Sequence, residues 1–133
     1  MKVFIDSNIP MYVAGRKHPL QESAKKFLER VQRGDVDAYT STEVLQEILY
    51  RYTSLKRPDL AQQVYDLFVQ ICPAVLPVDL ADTDRAKDLL KSMRSISARD
   101  AIHAGVMLNH DILSIATFDV GFGPIPGIER LKL

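Results

Sequence analysis

Four acidic side chains carry the chemistry open to this sequence. Asp6 ends the apolar run KVFI (residues 2 to 5) inside the stretch VFIDSN. Glu47 lies early in STEVLQEILYRYTS, Asp100 sits in SARD ahead of a long apolar segment, and Asp119 stands in TFDVGF. Clustered carboxylates repel, so without a counter-ion one or more would hold its proton more tightly than usual. A hard divalent cation relieves that repulsion, and Mg²⁺ suits a rim of Asp and Glu with no His or Cys. A bound cation can lower the pKa of a water, orient it and offset charge on a phosphodiester during in-line displacement. The chemistry expected is hydrolysis of a phosphate ester. Ser7, Asn8 and Thr117 stand close to the first and last acids and can donate the hydrogen bonds that orient them.

Each acid also has a plainer reading. Asp6 could be a turn residue or helix cap, with Ser7 or Asn8 capping the next segment. Glu47 could be a solvated helix residue. Its neighbour Glu43 fits a capping box in TSTE, which makes Glu43 the structural acid of the two. Asp100 fits a second such box, SARD, with Ser97 as the cap. Asp119 could be a turn residue before Gly121. Singly, each acid leans toward its structural role. What changes the balance is whether they share one edge of a sheet.

The elements that would place them there alternate along the chain. Strands are expected at residues 2 to 5 (KVFI), 37 to 40 (DAYT), 74 to 78 (AVLPV) and 112 to 117 (ILSIAT), with a short last strand at Glu129 to Leu131. Pro77 points to an edge or a strand end. Between them, apolar residues recur at helical spacing. One helix runs from Pro19 to Arg33 with Gly34 as its stop, one spans STEVLQEILYRYTS, and one opens at Pro58. Another is capped by Asp79 and runs to about Met93, and SARDAIHAGVMLNH forms a strongly apolar last helix. The strands are mostly continuous apolar runs, as buried parallel strands are. The fold expected is α/β: three layers with a central parallel sheet of four to five strands, in a single domain over residues 1 to 133. Ligands in such sheets bind beyond the carboxyl ends of the strands. Asp6, Glu47 and Asp119 fall on that edge, and Asp100 joins them if its helix starts there.

Composition bounds the partners. The 133 residues are 47% apolar and 26% charged, and 17 Lys+Arg balance 17 Asp+Glu. That balance gives no global charge to drive nucleic-acid binding, but it leaves room for a local basic rim. One cysteine, Cys72, cannot form an internal disulfide and is expected to be buried. No apolar run is long enough for a membrane span, and no signal-peptide pattern precedes the first strand, so a cytoplasmic protein is expected.

Taken together, FIDSN, STEVLQEI, ISARDAIHAG, IATFDVGF and IPGIERL resemble the PIN-domain ribonucleases, most closely the VapC toxins of prokaryotic toxin–antitoxin pairs. The resemblance runs over essentially the whole chain in the expected order. It implies that Asp6, Glu47, Asp100 and Asp119 match the family's four acids and that Thr117 matches the hydroxyl residue accompanying the last. It implies Mg²⁺ or Mn²⁺ as cofactor, RNA as substrate, a small antitoxin protein as inhibitory partner, and a homodimer. Ser7 departs mildly from the pattern, standing where Thr is commoner, and keeps the hydroxyl.

Other residues divide less clearly. His103, three residues after Asp100, is read first as a packed, hydrogen-bonded helix residue. Arg85, Lys87, Lys91, Arg94 and Arg99 are either a solvated face interrupted by Asp84 and Asp88 or a phosphate-steering rim, with Arg94 and Arg99 nearest the acids. Tyr50 and Tyr52 are read as core or dimer contacts. Two alternatives compete with the nuclease. One is a PIN-like module that binds RNA or protein without cutting. The other is a haloacid-dehalogenase-like phosphatase, disfavoured because Asn8 stands where its second Asp is needed.

Overall fold

The computed structural model describes all 133 residues. Five strands form one parallel sheet: β1 (Lys2–Ile5), β2 (Asp37–Ser41), β3 (Ala74–Leu76), β4 (Ser114–Ala116) and β5 (Glu129–Arg130), in the order β3-β2-β1-β4-β5. Val3, Phe4 and Ile5 have no exposed surface, which is why β1 reads as an unbroken apolar run and takes the centre of the sheet. β3 lies at the edge and stops at Leu76, one residue before Pro77, whose missing N–H could not continue a ladder.

Six helices connect the strands: α1 (Asn8–Ala14), α2 (Gln21–Gln32), α3 (Thr42–Ser54), α4 (Pro58–Ile71), α5 (Leu80–Ser92) and α6 (Ala98–Asn109). α2 ends before Gly34, whose φ of 79° is the left-handed conformation that glycine adopts without strain. Asp79 caps α5 through a full capping box with Asp82. α5 and α6 pack closely at Gly105, where an added Cβ would come 2.6 Å from the Asp82 carbonyl oxygen. Cys72 is buried and free. No helix is long and apolar enough to cross a membrane.

Two of the expected caps do not form. Ser7 occupies the cap position of α1 in helical backbone geometry and makes no capping bond with its side chain, and Asn8 is already helical. The TSTE box is absent as well. Thr40 is still in β2, where its hydroxyl donates to the Ile5 carbonyl at 3.0 Å, and Ser41 makes no side-chain cap. In both places the polar side chains that could cap a helix engage other partners or none.

The order 3-2-1-4-5 reverses direction at β1. Chain progress from β1 runs outward through β2 and β3 on one side and through β4 and β5 on the other. The crevice at the carboxyl ends of β1 and β4 is the place where such sheets bind ligands.

Candidate active site

Asp6 is the first residue past β1, and its backbone N–H donates to the Ala116 carbonyl at the end of β4. This pairing brings Thr117 against it. The Thr117 hydroxyl donates to Asp6 Oδ2 at 2.7 Å, and the Ser7 N–H donates to Oδ1 at 2.7 Å. The Asn8 amide donates to Thr117 Oγ1 at 3.0 Å and lies 3.4 Å from Asp6 Oδ2, while its carbonyl accepts from the Phe118 N–H. Thr117 Oγ1 also accepts from the Asp119 N–H at 3.0 Å. Asn8, one of the two residues expected to cap α1, therefore ties the end of β1 to the loop after β4. Asp6 is 5% exposed.

Glu47 projects from the second turn of α3, after β2. Its Oε1 lies 2.5 Å from Nε2 of His103, and the same nitrogen is 3.7 Å from Asp6 Oδ1. The His103 ring is fully buried, flanked by Phe4 and Phe122 with centroids at 5.6 and 6.3 Å. One oxygen from each carboxylate and one ring nitrogen fall within 4.8 Å of one another, close enough to surround a metal ion. His103 is indeed packed and hydrogen-bonded, as its sequence suggests, but its partner is an acid of this cluster. Nδ1 is buried without a partner. Nε2 as a metal ligand would put the ring proton on Nδ1, with nothing to accept it, so the hydrogen-bonding pattern makes His103 a donor to the acids.

Asp100 and Asp119 form the outer half. Ser97 accepts from the Asp100 N–H at 3.1 Å, but the Ser97 backbone N–H does not donate back to the Asp100 carboxylate, so the expected box is half made. Asp119 is exposed and accepts from the Gly121 N–H at 2.8 Å. Both acids border Gly121, where an added Cβ would lie 3.1 Å from Asp119 Oδ1 and 3.6 Å from Asp100 Oδ2.

The electrostatics record burial and crowding of negative charge, relieved in part by hydrogen bonds and by His103. Burial pushes the Asp6 carboxyl up, opposed in part by His103 and the Thr117 hydroxyl, with Glu47 pushing it further up. Asp100 is pushed up to about 6 by burial and by the charges of Asp119 and Asp6. Burial would push His103 down, yet the Glu47 hydrogen bond and the charges of Asp6, Glu47 and Asp100 outweigh it and raise the imidazole. Glu43, assigned from sequence to a cap, is also raised, by burial first, and feels both His103 and Glu47. His103 and Glu43 are the two neighbours of the acids that sequence reasoning set aside. The i, i+3 spacing of His103 from Asp100 and the i, i+4 spacing of Glu43 from Glu47 were the available signals.

Of the expected basic rim, Arg99 approaches Glu47 Oε2 at 3.8 Å and lies over the exposed Tyr50 ring at 5.5 Å. Arg94 is exposed and makes no ion pair. Tyr52 is buried in the core.

Residues 3–127 match the PIN domain family. The chain belongs to the PIN-domain family. It is 42% identical over 129 residues to Ribonuclease VapC13 of Mycobacterium tuberculosis, covering 97% of this chain and 98% of that protein. To Ribonuclease VapC23 of the same species it is 32% identical over 117 residues, 88% of this chain and 92% of that one. The fold of this PIN domain is shared with a chain of the VapBC2 structure from Rickettsia felis bound to a promoter DNA fragment (TM-score 0.77, 20% identity, 98% of each chain). Family membership sets aside the haloacid-dehalogenase alternative.

Proposed function

We propose that this PIN domain is a metal-dependent endoribonuclease acting as the toxin of a toxin–antitoxin pair. The observation that carries the reading is the meeting of Asp6, Glu47 and Asp100 with Asp119 at the β1/β4 crevice, where burial first, and the neighbouring acids second, raise two carboxyls. The support from relatives is their description as VapC ribonucleases at up to 42% identity. Oxygen donors under mutual repulsion fit Mg²⁺ or Mn²⁺, and Asp6, Glu47, Asp100 and Asp119 would hold the ion. When bound, it supplies an activated water and offsets charge developing on the phosphodiester.

The protein's own groups do the positioning. Thr117, Asn8 and the Ser7 N–H fix the Asp6 carboxylate, and His103 draws Glu47 toward Asp6. Raised carboxyls yield their protons as the cation enters, so ion binding is coupled to proton release. A small antitoxin would cover the acidic edge, and the active form would be a homodimer. Asp6→Asn is expected to reduce cleavage of RNA to background in Mg²⁺ while leaving the circular dichroism spectrum and melting temperature close to those of the parent. A variant that folds and still cuts would remove Asp6 from the reaction. A parent protein that binds RNA and leaves it intact would make the domain a binding module.

A further inference from the structure

A cleft of about 650 Å³ lies between α1, the loop that follows it and the C-terminal half of α3. Asn8 forms part of its wall, and the same side-chain amide is bonded to Thr117 and Asp6, so the cleft opens directly beside the acidic edge. Its lining includes three permanent cations, Arg16, Lys17 and Arg51, and no acid, in a chain whose charges balance at 17 each. None of the three is paired with a carboxylate; the ion pairs of the protein lie elsewhere. All three are exposed. Unpaired cations gathered on one concavity are the footprint of a polyanion.

We propose that this cleft holds the backbone of a single-stranded RNA segment, with Arg16, Lys17 and Arg51 as phosphate contacts and Tyr12 and His18 as stacking surfaces. The inference rests on the nuclease reading for its ligand and adds the path the strand takes to the acids. Charge alone would equally serve an acidic peptide. The aromatic wall favours RNA. The Tyr12 ring lies 4.8 Å from the exposed His18 ring and meets Phe118 edge-on at 5.3 Å, which braces it from behind. Phe118 immediately follows Thr117, so this aromatic run leads to the acidic edge. Braced rings beside cations are what unpaired bases stack upon, and a peptide backbone gains little from them.

The cations of the α5 region form the rival path. There Lys87, Lys91 and Arg94 share a stretch with Asp84 and Asp88, and no aromatic ring interacts with them. The two paths are separated by binding of a short fluorescein-labelled oligouridylate, followed by anisotropy over a salt series in EDTA. The triple variant Arg16→Gln/Lys17→Gln/Arg51→Gln is expected to bind about tenfold more weakly or worse at low salt. Its plot of log affinity against log salt should be shallower by about 2, at roughly 0.7 per lost contact on a single strand. Lys87→Gln/Lys91→Gln/Arg94→Gln, with the same charge change, is expected to bind as the parent does. Equal losses in both variants, an unchanged slope in the cleft variant, or a parent that binds no RNA would each overturn the proposal. So would a cleft variant that keeps RNA and loses only a labelled polyglutamate probe. A parent that binds through the cleft but cuts nothing in Mg²⁺ would overturn the nuclease reading alone.

Discussion

At the end of β1, Asp6 is nearly sealed from solvent and held by the Ser7 N–H and the Thr117 hydroxyl, with His103 and Glu47 packed alongside. A short distance away, Asp119 lies in solvent with one backbone N–H on its carboxylate, and Asp100 lies half-buried in the first turn of α6. Both halves are acidic, but their neighbours differ. The inner half is built on a strand end and two helices, and a buried imidazole supplies the donor its carboxylates need. The outer half stands on a loop and a first helical turn, and like charges meet there with little relief. Rigid elements locate ligating groups more sharply than loops do. On the proposed reading, the inner half would set where an ion sits, and the outer half would gain most from its arrival.

The largest test of this contrast removes the imidazole. His103→Ala should weaken Mn²⁺ binding by about 10- to 100-fold, the usual cost of losing a group that orients a ligand. Calorimetric titration reads it directly, and His103→Gln, which keeps a donor, should recover part of the affinity. If the alanine variant binds Mn²⁺ as the parent does and only melts earlier, His103 is packing and the inner half loses its organiser.

A smaller effect is expected from Thr117→Val, which keeps the shape and removes one hydroxyl shared by Asp6, Asn8 and the Asp119 N–H. The loss of its charge-assisted bond to Asp6 should cost about 1.5–3 kcal/mol of stability at neutral pH. Urea unfolding checks it. A loss no greater than about 0.5 kcal/mol would mean that the junction between the halves is slack.

The outer half should respond with the opposite sign. Asp100 titrates at about 6 in the folded protein, against 3.8 for the free group. The folded state therefore binds its proton more tightly than the unfolded chain does, and stability falls as pH rises from about 4 through 6. Asp100→Asn should raise the stability of metal-free protein at pH 7 by about 1 kcal/mol, a value reduced for solvent screening at this half-buried site. The gain should vanish below pH 4 and shrink when Mg²⁺ is added to the parent. A destabilised Asp100→Asn protein in EDTA at pH 7 would show that the outer carboxylates are not in conflict.

The parallel sheet and the order of its elements were legible because the strands are short, mostly apolar runs, unbroken in β3 and, after Lys2, in β1, separated by segments of helical spacing. Pro77 pointed to an edge or a strand end, and β3 is an edge strand that ends just before it. The shared edge of Asp6, Glu47 and Asp119 was legible because strand ends in a parallel sheet face one way; the place of Asp100 depended on where α6 begins, which sequence left open. Local polar signals misled where a tertiary partner was available. Thr40, Ser7 and Asn8 look like caps, but Thr40 and Asn8 spend their side chains on other strands and loops. His103 and Glu43 were underestimated because helical spacing gives the face of a residue but not what packs against that face. Of the cleft cations, Arg16 and Lys17 are neighbours but Arg51 lies far from them in sequence, and the approach of α1 to the end of α3 gathers them.

The central claim is that a divalent cation held by this edge cuts RNA. The direct measurement is cleavage of a total-RNA substrate by the purified protein in EDTA and after Mg²⁺ is restored. Loss of cleavage in EDTA and its return with Mg²⁺, in the parent but not in Asp6→Asn, is the result expected. Full cleavage in excess EDTA would contradict the account.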